Sequence, residues 1–151
     1  LNSISSALFY VESDVKDMKL AQAAGLKDCG GPCSTEAPHA RLSKEAVSRN
    51  YRGFRRLFQG CGDGYAGVGF DDVLEGLGAT ELSARIKGHL DAIDAAVAAL
   101  GDRSLEEAIT ADPTAVRRLY DASKALTDDL RSQFLSVLDL ELPKRVEGDN
   151  D

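Results

Sequence analysis

Two histidines, three cysteines and a cluster of four arginines are the side chains in this sequence best suited to chemistry or binding. His39 follows Glu36 by three residues, the spacing with which a helix offers a carboxylate and an imidazole to one metal ion. Pro38 stands directly before His39 and steers Ala37 away from helical geometry, so the Glu36–His39 pair could serve a metal only from a loop. His89, beside Leu90 in a helical pattern, reads as a partly buried or surface side chain. Cys29 and Cys33 flank Gly30-Gly31-Pro32 and can close a small disulfide ring. Cys61 can pair with either instead, and one thiol is then left over. A disulfide of an oxidising compartment is expected over a zinc site, because three cysteines lack a fourth ligand at finger-like spacing. Arg49, Arg52, Arg55 and Arg56 share one segment, with Arg52 and Arg56 a helical turn apart. They read as a solvated face paired with neighbouring acids, or as a docking surface for an acidic partner.

Other chemistries lack their residues. There is no His-Glu-x-x-His, no Gly-x-Ser-x-Gly and no glycine loop leading to Lys-Ser/Thr. A Cys-His nucleophile pair would have nothing to orient it. No catalytic constellation is expected in this chain. Its 18 lysines and arginines stand against 25 aspartates and glutamates, a net charge of −7. That balance argues against nucleic-acid binding, which needs a basic face, and against adhesion to an anionic membrane surface. No apolar run approaches the roughly 20 residues of a transmembrane helix.

The elements that must hold these residues are helical. Ile4, Leu8, Val11, Val15 and Met18 form one apolar stripe over about 1–22, stopped by Gly25. A loop at 25–42 carries the Cys29/Cys33 pair, and Ser43 looks like the N-cap of a second helix. In that helix Val47, Tyr51, Phe54 and Phe58 step by four, three and four. A glycine-rich loop at 60–69 precedes a short helix from Phe70 to Leu77. Leu82, Ile86, Leu90, Ile93, Val97 and Leu100 mark a long alanine-rich helix. Ser104 and Glu107 form a capping box for one or two further turns. Asp112-Pro113 then opens the last helix, with Val116, Leu119, Tyr120, Ser123, Leu126, Leu130, Phe134 and Val137 along it. Nothing alternates with period two. An all-α, up-down four-helix bundle with short extra helices in its connections is the expected fold, one domain over 1–151, closed by Pro143 and an acidic tail at 144–151.

Several stretches together resemble the imelysin-like proteins. They are Thr35-Glu36-Ala37-Pro38, then Ser43, then Asn50-Tyr51-Arg52-Gly53-Phe54-Arg55-Arg56-Leu57-Phe58-Gln59-Gly60. Gly69-Phe70-Asp71-Asp72-Val73-Leu74 and the ending Leu142-Pro143 … Gly148-Asp149-Asn150-Asp151 are similar too, so the resemblance covers roughly residues 29–151. It implies an exported, periplasmic or outer-membrane-associated protein of two helical bundles, linked to iron uptake or regulation and sometimes classed as a metallopeptidase. It leaves room upstream for a signal or lipid anchor; Leu1 starts within an amphipathic pattern, as in a processed chain or an excised piece. The family's proposed metal motif, Gly-x-His-x-x-Glu, belongs to the N-terminal bundle. Here Lys87-Gly88-His89-Leu90-Asp91-Ala92 has neither the glycine nor the glutamate in register. The chain is therefore expected to be the C-terminal bundle, docked on a second bundle, with at most half of a site for iron or another divalent metal. Glu36, His39, Ser43, Asn50, Arg52 and Arg56 are its pocket or interface candidates, and Glu36 and His39 its candidate metal ligands. The alternatives are the non-catalytic half of a metallopeptidase, or an interaction module that uses the arginine face.

Overall fold

The computed structural model describes residues 9–140; Leu1, Ile4, Leu8, Pro143 and the acidic tail lie outside the described residues. The described chain is all-α, and no strand occurs in it. In order it forms α1 (Val11–Gln22), α2 (Ser43–Gln59), a 3-10 turn (Asp63–Tyr65), α3 (Phe70–Gly76), α4 (Thr80–Ala99), α5 (Leu105–Ala111) and α6 (Pro113–Asp129). The last helix runs on through a π-helical stretch (Leu130–Phe134) and a final turn (Leu135–Val137). The four long helices pack in a ring: α1 on α2, α2 on α4, α4 on α6, and α6 back on α1. That is the packing a four-helix bundle needs. Val47, Tyr51, Phe54 and Phe58 of α2, Ile86, Leu90 and Ile93 of α4 and Val116, Leu119, Leu126, Leu130 and Phe134 of the last helix supply its core.

Local signals fix several ends. Ser104 accepts from the Glu107 N–H at 3.3 Å while the Glu107 carboxylate accepts from the Ser104 N–H at 2.9 Å, closing the expected capping box. Asp112 caps α6 by accepting from the Ala115 N–H at 3.0 Å, with Pro113 at the first helical position. Gly25, with φ +68°, follows the end of α1 where a side chain would be strained.

Two local expectations are corrected. Ser43 is the first residue of α2 rather than its cap; Leu42 holds the cap position and gives no side-chain bond. The Ser43 hydroxyl is instead taken up by the carboxylate of Glu106 on α5. Met18 does not continue the apolar stripe and is 56% exposed. From Val11 to Gln22 the helix is π-helical, so burial recurs at intervals of four to five residues. The buried set becomes Val11, Glu12, Val15, Lys16, Asp17, Leu20 and Ala21. Val137, the last residue of the predicted α6 stripe, also lies out on the surface.

That wider winding turns charge inward. Lys16 meets Asp17 at 3.0 Å, Lys27 meets the same carboxylate at 3.3 Å, and Arg131 reaches Glu12 at 3.1 Å. Charges this deep require such partners, since an isolated ion would be far too costly to desolvate.

Candidate functional site

The loop from 25 to 42 folds back over α1, α2 and α5, and there the sequence candidates are sorted. Lys19, half-buried on α1, is the hub. Its ammonium donates to Asn50 Oδ1 of α2 at 3.0 Å and pairs with Glu36 of the loop at 3.0 Å. The Tyr10 ring lies 5.9 Å from it, within cation–π range. Burial alone would lower the Lys19 pKa, but the bonds to Glu36 and Tyr10 outweigh burial and hold it above the ordinary lysine value. Tyr10, Asp14, Met18, Lys19, Gln22, Ser34, Thr35 and Glu36 line a pocket of about 400 Å³. That size suits a small ligand or an inserted side chain.

Directly beneath, Glu106 of α5 ties the loop down. Its Oε1 accepts from the Thr35 hydroxyl and from the Ser43 hydroxyl, the latter at 2.7 Å. Ser43 in turn accepts the Ala37 N–H at 3.2 Å. Burial works to raise the Glu106 pKa, but these hydroxyls, its own backbone amide and Ser104 bring it below the ordinary glutamate value. The second oxygen, Oε2, is buried without a hydrogen-bond partner.

Glu36, Ser43 and Asn50 are thus gathered at one corner of the bundle. His39 is not. It sits exposed in the 36–41 turn, which is not helical, as Pro38 requires. Among the described residues no group of three or more His, Cys, Asp or Glu side chains is placed to hold a metal ion. With Glu36 paired to Lys19 and no third donor beside it, the described residues do not by themselves fit a metal site. Lys19 and Glu106 escaped sequence reasoning. Lys19 is one residue from the expected apolar stripe and has no motif around it. Glu106 left a trace: α5 opens with two glutamates, and the capping box uses only Glu107.

Arg52 and Arg56 lie apart from this corner, in a cleft of about 580 Å³ between α2 and the turn at 62–65. Arg55, on the flank of α2 that faces α4, is 8% exposed and joins α2 to α4 through Asp91 at 2.8 Å and Asp94 at 3.0 Å. Its guanidinium stands 5.4 Å from the Tyr65 ring centroid. His89 meets Asp129 at 3.0 Å, and Arg85 meets the same carboxylate at 3.1 Å. Burial tends to raise the Asp129 pKa, but Arg85 and His89 bring it below the ordinary aspartate value. The cysteine question resolves as a Cys29–Cys33 disulfide with Cys61 a free, exposed thiol.

The described chain is thus a helical bundle with a polar pocket at a loop–helix corner. The family model for imelysin (peptidase M75) matches residues 3–133. The chain belongs to the imelysin family. The match includes α1, so Lys19 is part of the family fold along with the stretches from Thr35 onward. No curated protein and no solved structure matches the chain. No helix among the described residues is long and apolar enough to cross a membrane.

Proposed function

We propose that this chain is an exported imelysin-like binding domain linked to iron uptake, and that the Lys19–Glu36–Asn50 pocket is its half of a site shared with a second helical bundle. The supporting observation is the convergence itself: a lysine of α1 clamps a loop glutamate that lines the same pocket and a helix-two asparagine that lines the adjoining cleft. The neighbouring surface suits docking. Tyr10 also lines an adjoining cleft with Val11, Asn50, Phe54 and Leu57, so exposed Met18 and part-exposed Leu57 flank the polar group. Any iron or other divalent metal would draw its ligands from the second bundle, because Glu36 is already paired with Lys19 and His39 lies exposed outside the pocket. On the metallopeptidase reading carried by the family's name, this chain would be the non-catalytic half.

Intact mass under native and denaturing conditions, on protein isolated with whatever accompanies it, tests the reading. A second helical polypeptide or a bound metal that is lost on Lys19→Met or Glu36→Gln substitution is the expected result. A lone, metal-free monomer whose behaviour ignores both substitutions would sink it.

A further inference from the structure

The cleft beside Arg52 and Arg56 has features that neither packing nor stability accounts for. Arg49, Arg52, Gly53 and Arg56 succeed one another at i, i+3, i+4 and i+7, one face of α2, and all four line it. Gly62, Asp63, Gly64 and Tyr65 form the opposite wall. In a chain with seven more acids than bases, arginines readily find carboxylates. Arg49 has Glu45 at 2.6 Å and Arg55 has Asp91 and Asp94. Arg52 and Arg56 have no carboxylate partner among the described residues; Arg52 reaches only the Ser48 hydroxyl, at 3.2 Å. Two like charges a turn apart repel, so this pairing works against the helix.

Gly53 gives a second, independent sign. Mid-helix glycine is disfavoured, and here no neighbour demands it: nothing lies within 4 Å of where its Cβ would stand. A glycine that packing does not need, on the floor between unpaired guanidiniums, leaves room for something to lie against the helix backbone. On the facing wall the Arg55 guanidinium lies over the Tyr65 ring, 5.4 Å from its centroid. With Arg49 matched by Glu45 and Asp63 at the rim, the cleft keeps a local positive charge within an acidic molecule.

We propose that this cleft binds a small polyanion carrying two or more carboxylate or phosphate groups, held by the planar forks of Arg52 and Arg56 over Gly53. Guanidinium matches both kinds of oxyanion in bidentate geometry. The open cleft, of about 580 Å³, has room for a small molecule. The site shares no lining residue with the Lys19 pocket, though Arg49 and Gly53 also line the adjoining cleft beside Asn50, so a bundle docked there would border it.

Calorimetric titration of the intact chain at low ionic strength with tricarballylate, a tricarboxylate, and with pyrophosphate tests this. Saturable binding of at least one is expected, and which one binds more tightly tells a carboxylate from a phosphate ligand. Arg52→Gln combined with Arg56→Gln should raise Kd by about a hundredfold, about tenfold for each guanidinium removed from the anion. Gly53→Ala should weaken binding severalfold while raising the thermal midpoint, a pair of effects that damage to the fold cannot produce. The proposal fails if neither anion saturates, if the arginine variants bind as the parent does, or if a poly-glutamate peptide binds where both small anions do not. That last result would make the face a protein-docking surface.

Discussion

Replacing Ser43 with alanine removes the pin between the 25–42 loop and the bundle. The hydroxyl donates to the charged Glu106 carboxylate and accepts the Ala37 N–H, and the residue is only 2% exposed, so water cannot take over both bonds. A bond to a charged group contributes about 1.5–3 kcal/mol and a neutral one about 1 kcal/mol. Alanine's better helix propensity returns about 0.5 kcal/mol. The net loss is about 2–3.5 kcal/mol, which lowers the thermal midpoint by about 4–14 °C for a domain of this size. Thermal melts followed by far-UV circular dichroism read that shift. Hydrogen exchange at the Ala37 amide reads the local event, which should become fast while core amides of α4 stay slow. A double-mutant cycle with Glu106→Gln should return a coupling of about 1 kcal/mol or more. A midpoint within about 1 °C of the parent, with the Ala37 amide still protected, would refute the account of how this loop is held.

Three further outcomes are expected. Tyr51→Phe should be neutral or stabilising by up to about 1 kcal/mol in denaturant titrations, since the buried hydroxyl makes no well-formed hydrogen bond. Burial raises the Tyr51 pKa far above the ordinary tyrosine value; Ser123, whose own proton goes to the Leu119 carbonyl, opposes the rise and Asp17 adds to it. Asp129 and Glu106 both have folded pKa values below their ordinary values of 3.8 and 4.5, so the unfolded chain takes up protons first as pH falls. Their stabilisation is complete above about pH 4.5 and is lost as pH falls through the lower folded values; Asp129→Asn should flatten that acid slope in melts run against pH. Alkylation of the denatured, unreduced protein should mark Cys61 alone, and all three cysteines after reduction, read as mass increments.

What the sequence revealed was local. The capping box at Ser104–Glu107 and the Asp112-Pro113 start are complete within four residues, and both stand in the structure. The α4 stripe follows ordinary helical spacing, and its Leu82, Ile86, Leu90 and Ile93 are buried. In α1 the same reasoning failed at Met18, because a π-helical winding shifts which side chains face inward. Ser43 looked like a cap because its type and position fit one, while its true partner, Glu106, is 63 residues away. Lys19 shows the same limit: Asn50, 31 residues on, is what makes it a hub. Pairings across the fold leave no periodic trace, so a site built from them can be guessed by residue type but not assembled.

The segment from Gly60 to Gly69 closes back on the helix it leaves. A Cβ on Gly69 would stand 2.1 Å from the Phe58 carbonyl oxygen, and one on Gly60 would stand 2.9 Å from the Gly67 carbonyl oxygen. Its two ends therefore meet at a fixed point, and what lies between them can change without moving α2 or α3. The arginine cleft thus has one wall belonging to the scaffold and one that can be exchanged. New loops grafted between Cys61 and Gly67 would alter which anion is admitted and leave the helix that supplies the charge untouched. Selectivity at this site can diverge faster than the fold that carries it.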